Sequence, residues 1–159
     1  MNEWHDFFVA TAGASAALTG LIFVGVSINL SRILSTPTLP DRASISMILL
    51  LTILIVAILL LVPYKSIRIP GTEVLIVGLV IWSGVVLTDL RIHGNKKKQF
   101  RRLYTLNIIF NQVAILPYII CGISLMRGDL NGYWLLAAMV FSFIKASLDA
   151  WVLLIEINR

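Results

Sequence analysis

The sequence predicts an all-α integral membrane protein, folded as a bundle of about five transmembrane helices in a single domain that covers residues 1–159. Apolar residues make up 58% of the chain and charged residues only 13%, whereas soluble domains are about 25% charged. The apolar stretches are each close to the roughly 20 residues that a helix needs to cross about 30 Å of hydrocarbon. A chain of 159 residues is long enough for one such bundle and too short for two domains of ordinary size.

Turn-forming and charged residues divide the apolar sequence into the predicted spans. Short connections separate them, such as the one that carries Pro70 and Gly71, and these are typical of antiparallel neighbouring helices. Only about 15 uncharged residues separate Glu73 from Asp89, so we expect tilted neighbours or local thinning of the bilayer around the third span. The predicted spans are Phe7 to Ser31, Ala43 to Pro63, Glu73 to Asp89, Leu103 to Leu125 and Asn131 to Ile155.

Basic residues concentrate between the third and fourth predicted spans. Because cytoplasmic loops of membrane proteins carry an excess of lysine and arginine, this loop is predicted to lie inside, with the N-terminus outside and the C-terminus in the cytoplasm. A basic run beside a membrane span is typical of a topology signal, and no nucleic acid is expected as a partner. The residues predicted to contact anionic lipid are Lys96, Lys97, Lys98, Arg101 and Arg102.

Lys145 and Asp149 lie one helical turn apart in the last predicted span, where a charge is costly and usually faces a bundle interior or a wet cavity. At 1.5 Å per residue they lie roughly 20 and 27 Å from the outer end of that span, and Asp89 lies roughly 24 Å from the outer end of its own. Two asparagines of the fourth span lie roughly 5 and 10 Å from the inner end. The residues predicted to form a polar layer in the cytoplasmic third of the bundle are Lys145, Asp149, Asp89, Asn111, Asn107 and Ser142.

Three interpretations of this predicted polar layer stay open. Lys145 and Asp149 can simply neutralise each other, and a lysine near the inner boundary can extend its ammonium group to the interface. The layer can instead line a hydrated vestibule or ion path, or carry a proton relay through Asp149 or Asp89. The interpretations differ in whether water reaches the layer.

Small residues form a stripe along the first predicted span. Such residues let two helix backbones approach closely in lipid, where no hydrophobic driving force pulls helices together. The stripe predicts a close helix contact, either within the chain or with a second copy of it. The hydroxyl groups of Thr11, Ser15 and Thr19 in the same span are an alternative pore lining. The predicted contact residues are Gly13, Ala17, Gly20 and Ser27.

Pro117 lies within the fourth predicted span. A proline has no amide donor, so the carbonyl group of Val113 loses its helical partner and the helix tends to kink. A kink beside a polar layer suggests a gate, whereas prolines are also frequent in ordinary membrane spans. Both interpretations of Pro117 stay open.

Motifs of enzymes are not evident in the sequence. His5 and His93 fall on opposite predicted faces of the membrane, which excludes a shared metal site within one chain. Neither an HExxH zinc motif nor a GxSxG nucleophile elbow occurs. We therefore expect no enzymatic activity, no metal and no other cofactor.

Residues 3–9, EWHDFFV, and residues 13–27, GASAALTGLIFVGVS, resemble the opening of a family of small bacterial multi-pass membrane proteins. The resemblance covers mostly the first span. Some members of that family are labelled as modulators of a membrane-bound AAA+ protease. The resemblance implies a location in a bacterial inner membrane and supplies no established active site.

Two expectations for function follow from the sequence. The first is a homo-oligomeric channel-like or transport-like membrane protein, with the polar layer as its hydrated section. The second is a non-transporting accessory or regulatory subunit of a larger membrane complex, docked through its basic loop. A conductive path along an oligomer axis distinguishes the first from the second.

Overall fold

The computed structural model describes residues 4–35, 39–64, 66, 68–94, 101–129 and 132–157, and their regular secondary structure is entirely helical. Five of the helices in this part of the chain are long and apolar enough to cross a membrane, over His5–Ile28, Leu39–Leu61, Arg68–Arg91, Thr105–Arg127 and Tyr133–Ile155. The predicted all-helical class and the five membrane-length apolar helices are therefore confirmed. The helices are α1 (His5–Ile28), α2 (Leu30–Ser35), α3 (Leu39–Leu61), α4 (Arg68–Gly94), α5 (Arg101–Arg127) and α6 (Tyr133–Ile157).

The third membrane-length helix, α4, is longer than the sequence predicted. It begins at Arg68, so Pro70 and Gly71, which were predicted to separate two spans, belong to its first turn. Proline is tolerated there because the first amide groups of a helix have no partner within the helix. The predicted span ended at Glu73 and Asp89. It was too short, because both residues lie inside α4.

The first predicted span is divided near its end into α1 and α2. The side-chain amide of Asn29 donates a hydrogen bond to the carbonyl oxygen of Gly25 at 3.0 Å, and α1 stops at Ile28. An asparagine that bonds to the backbone of its own helix offers an alternative to continuing the helix. The prediction that one span runs on to Ser31 was therefore wrong in its last turn.

The structure contains two compact units, residues 1–63 with 142–159 (unit 1) and residues 64–141 (unit 2). In unit 1, α1 packs along α3, and α2 packs against both. The α6 segment of this unit also contacts α3, because the hydroxyl group of Ser46 donates to the carbonyl oxygen of Ala146 at 3.0 Å. Helix α3 supplies most of the buried side chains, among them Leu49, Ile53 and Val56.

In unit 2, α4 packs along α5 through glycines that were not predicted as helix contacts. A Cβ atom on Gly122 would lie 2.7 Å from the backbone nitrogen of Leu75, and one on Gly71 would lie 2.8 Å from the backbone nitrogen of Met126. Only glycine permits such an approach between two backbones. The sequence did carry a signal for this contact, since Gly71 and Gly78 recur at a spacing that keeps them on one helix face.

Candidate functional site

Among the residues of unit 1 whose side chains are described, the most deeply buried charges are Lys145 and Asp149 on α6. Their side chains are only 5% and 6% exposed, and the ammonium group of Lys145 donates a hydrogen bond to Oδ2 of Asp149. The spacing of four residues places the two groups on the same face of the helix. Ser142, which is also fully buried, lies on this face one turn before Lys145. The pair is neutral as a whole.

Unit 2 contains a second buried polar pair, Asp89 on α4 and Asn111 on α5. The Nδ2 atom of Asn111 donates to both carboxylate oxygens of Asp89, at 3.0 and 3.1 Å. Asp89 is 5% exposed and Asn111 is fully buried. A second bond joins the same two helices where Nε1 of Trp82 donates to Oε1 of Gln112 at 2.8 Å, on the exposed side.

The amide of Asn111 suits either protonation state of the Asp89 carboxyl group. Its Nδ2 end donates to an ionised carboxylate, and its Oδ1 end could accept a hydrogen bond from a protonated one after a flip of the amide. In the structure Oδ1 is buried and makes no hydrogen bond to any described residue. The buried pair is thus chemically capable of following a change in the charge of Asp89.

The predicted polar layer is distributed over both units. Unit 1 contains Lys145, Asp149 and Ser142, whereas unit 2 contains Asp89, Asn111 and the half-buried Asn107. Their arrangement as one layer stays a prediction. Of the predicted lipid contact, Lys96, Lys97 and Lys98 lie outside the described residues, and Arg101 and Arg102 begin α5.

The small-residue stripe of α1 lies on an exposed face of unit 1. Gly13, Ala17, Gly20 and Ser27 are all exposed, and no described atom of the unit lies within 4 Å of a Cβ built on either glycine. The face of α1 that is buried in the unit carries Phe8, Thr11 and Ser15 instead. The stripe therefore makes no close contact with the described residues of unit 1, and its contact with a second copy stays a prediction.

Two of the three hydroxyl groups predicted as an alternative pore lining, those of Ser15 and Thr19, are bonded to their own helix. Oγ of Ser15 donates to the carbonyl oxygen of Ala12 at 3.0 Å, and Oγ1 of Thr19 donates to that of Ser15 at 2.7 Å. Such bonds satisfy a hydroxyl donor without any ligand. Pro117, for which a gate is one of the two open interpretations, is buried within an α5 that runs unbroken from Arg101 to Arg127.

Tyr64 lies between α3 and α4, and its hydroxyl group donates to Oε2 of Glu73 at 2.5 Å. This hydrogen bond is the main cause that raises the pKa of Tyr64 above its ordinary value, with desolvation and the negative charge of Glu73 as further causes. This bond was not predictable, because nothing in the sequence indicates which residue the Tyr64 hydroxyl contacts. It fixes the start of α4 to the preceding connection.

The described part of the chain is all-helical, and its five long apolar helices are compatible with a multi-pass membrane protein. No group of three or more histidine, cysteine, aspartate or glutamate side chains is placed to hold a metal ion within the described part of the chain. No family model, curated protein or solved structure matches the sequence or the fold.

Proposed function

We propose that the protein is a homo-oligomeric, channel-like or transport-like protein of a bacterial inner membrane. In this proposal the N-terminus lies outside, the C-terminus lies in the cytoplasm, and the chain is not an enzyme. The hydrated section of the path is the predicted polar layer around Lys145, Asp149, Asp89 and Asn111. The observation that carries the proposal is the burial of a charged pair within the otherwise apolar helix α6.

The cost of such a pair supports a functional role for it. A single charged residue at the centre of a membrane helix costs about 2.5–3.5 kcal/mol on insertion scales. Replacing a buried ion pair by apolar residues of similar volume is often neutral or stabilising. A helix that needed only to span and pack would therefore be at least as stable with apolar residues at positions 145 and 149.

The exposed stripe of α1 supports assembly with a second copy. Gly20 lies about 140° around the helix from Ser15, which is buried in unit 1, so the stripe points away from that core. Small residues exposed along one face allow another helix to pack closely there. A bilayer lipid would fill the same face without needing glycine at two successive heptad positions.

The orientation can be tested with two exposed serines. Ser66, between α3 and α4, is predicted to lie outside, whereas Ser35, at the end of α2, is predicted to lie in the cytoplasm. In a Cys121→Ser background, Ser66→Cys should react with an impermeant thiol reagent in intact cells, and Ser35→Cys only after the membrane is opened. The reverse labelling would overturn the orientation.

A second candidate function is a non-transporting accessory subunit of a larger membrane complex. The observation that favours it is the direct bond between Lys145 and Asp149, since a pair that neutralises itself needs no ion. The resemblance of the first span to proteins labelled as modulators of a membrane protease points the same way. In this case the pair of Asp89 and Asn111 only holds α4 against α5, and the pair of Lys145 and Asp149 only neutralises itself.

Flux measurements on liposomes that contain the purified protein separate the two candidates. The channel-like proposal expects ion or tracer flux from the wild type, a changed preference between cations and anions in Lys145→Gln and Lys145→Glu, and lost or altered flux in Lys145→Leu with Asp149→Ala. Leu148→Ala, on the exposed face of the same helix, is the matched control and should leave flux unchanged. If liposomes with the wild-type protein show no more flux than protein-free liposomes, at varied pH, tension and voltage, the proposal is overturned and the accessory subunit is favoured.

A further inference from the structure

An apolar groove runs along unit 1 between α1, α2, α3 and α6. Its volume is about 320 Å³, and its walls include Leu18 and Gly25 of α1, Leu50 of α3 and Ala150 of α6. Trp151, at its rim, is 61% exposed, so the groove is open to the surroundings of the helices. A water molecule needs two to four polar partners in such a place, and these walls offer few. The groove is therefore suited to hydrocarbon.

Helix α2 closes one end of this groove. Ile33 lines the groove and is 2% exposed, because it packs into a cluster with Leu39, Ala43 and Leu153. The groove thus ends at the short helix that follows α1 and at the first turns of α3. An occupant that enters along the membrane helices would meet α2 at this end.

Two arginines directly precede buried residues of this cluster in the sequence. Arg32 is exposed and precedes Ile33, and Arg42 is partly exposed and precedes Ala43. Neither forms an ion pair with an acidic residue in the described part of the chain, and with Asp41 in the same turn of α3 the local charge is still positive. An apolar groove that ends at two available guanidinium groups is complementary to a molecule with a hydrocarbon chain and an anionic head.

We propose that the groove binds one acyl chain of an anionic phospholipid of the bilayer, whose phosphate is held by Arg32 and Arg42. Basic pockets between membrane helices bind anionic lipid head groups in this way, and guanidinium groups match phosphate geometry. This site is separate from the proposed polar layer and does not depend on transport. A second copy of the chain fits the groove less well, since Gly25 lies about 140° around α1 from Gly20 of the stripe.

Trp151 reports directly on the occupant. In a variant whose other tryptophans, Trp4, Trp82 and Trp134, are changed to phenylalanine, we would reconstitute the protein in phosphatidylcholine vesicles. A few mole per cent of lipid with brominated acyl chains, either phosphatidylglycerol or phosphatidylcholine, would then be added. Quenching of Trp151 should reach half its maximum at a lower mole fraction of brominated phosphatidylglycerol than of brominated phosphatidylcholine. A basic residue near a membrane surface contributes about 1 kcal/mol, so each arginine is expected to give about a fivefold preference.

Matched variants test the two halves of the site. Arg32→Gln and Arg42→Gln should each reduce the preference for the anionic lipid by about fivefold. Gly25→Leu should fill the groove and reduce quenching by both lipids, and no clash is expected because nothing lies within 4 Å of a Cβ at this position. Gly84→Leu on α4, where a Cβ is equally unobstructed, is the control and should change neither.

Equal quenching by the two lipids at every fraction would overturn the proposal in favour of unselective lipid contact. If neither brominated lipid quenches Trp151 in the single-tryptophan variant that keeps Gly25, the proposal is overturned in favour of a protein partner, including a second copy. The variant with one tryptophan has to fold, so native mass spectrometry of the wild type provides an independent measurement. Phosphatidylglycerol adducts that outlast phosphatidylcholine adducts in the wild type, and not in Arg32→Gln, support the site, and equal retention would contradict it.

Discussion

The ammonium group of Lys145 donates a hydrogen bond to the carboxylate of Asp149 one turn farther along α6, and both side chains are almost fully withdrawn from the surface. Each charge is therefore compensated by the other within a single helix. The stability of unit 1 should depend on the two residues together rather than on either alone.

Removing one partner of this pair should destabilise the protein more than removing both. Lys145→Leu or Asp149→Ala alone leaves an uncompensated buried charge, which typically costs about 3–5 kcal/mol. The double variant should lose much less, or even gain stability. Thermal unfolding of the four proteins in mild detergent gives the coupling energy, and a double variant as unstable as the sum of the single ones would contradict the prediction.

Asn111 should matter more for stability than its neighbour Gln112. Asn111→Leu removes both hydrogen bonds from the amide to the buried Asp89 carboxylate, and we expect a loss of about 1–3 kcal/mol. Gln112→Leu removes one bond to Trp82 on the exposed side and should cost about 1 kcal/mol or less. Equal losses in a side-by-side unfolding measurement would refute the buried contact between α4 and α5.

Two glycine-to-alanine changes should have opposite signs. The new methyl group of Gly122→Ala would lie 2.7 Å from the backbone of Leu75, and such overpacking costs about 1–3 kcal/mol. Gly84→Ala has nothing within 4 Å and should stabilise α4 by about 0.5–1 kcal/mol, because alanine favours a helix over glycine. Melting temperatures of the two variants in the same detergent test this, and a stabilised Gly122→Ala would mean that α4 and α5 are farther apart.

Gly20→Leu should separate assembly from folding. No described atom of unit 1 lies near this position, so the folded chain should tolerate leucine, whereas a second copy packed on the stripe would be pushed away. Light scattering in mild detergent should show a lower mass for Gly20→Leu and the wild-type mass for Ile22→Leu. An unchanged mass for Gly20→Leu would remove the stripe as an assembly contact.

The hydrogen bond from Tyr64 to Glu73 should shift the deprotonation of the Tyr64 phenol to a higher pH. Because the pKa of Tyr64 is raised in the folded protein, the bond stabilises the fold below the ordinary tyrosine pKa of about 10, and this contribution is lost as the pH rises through the raised value. The difference in ultraviolet absorbance between the wild type and Tyr64→Phe should therefore have its midpoint above about pH 10. A midpoint at or below that value would show that the bond is not formed in solution.

The helices could be predicted from the sequence, but most of their contacts could not. Long apolar stretches separated by short polar ones place membrane-length helices regardless of packing. The exact helix ends were less predictable, as Asn29 and Pro70 show. Which helices pack against each other depends instead on the tertiary structure. The stripe of α1 predicted a close contact either within the chain or with a second copy, yet the close glycine contact of unit 2 lies between α4 and α5, where fewer small residues mark it. Charged groups were identifiable by their rarity, whereas their partners, apart from the pair within α6, were not.

The bond between Ser46 and Ala146 joins residues 100 positions apart, whereas α4 and α5 are neighbours in the chain. During synthesis, therefore, the glycine contact of unit 2 can close as soon as α5 has emerged. The earlier helices α1 and α3 must wait for α6 before unit 1 is complete. A ribosome that stalls before the last helix would leave the first-made part of the protein as the unfinished one.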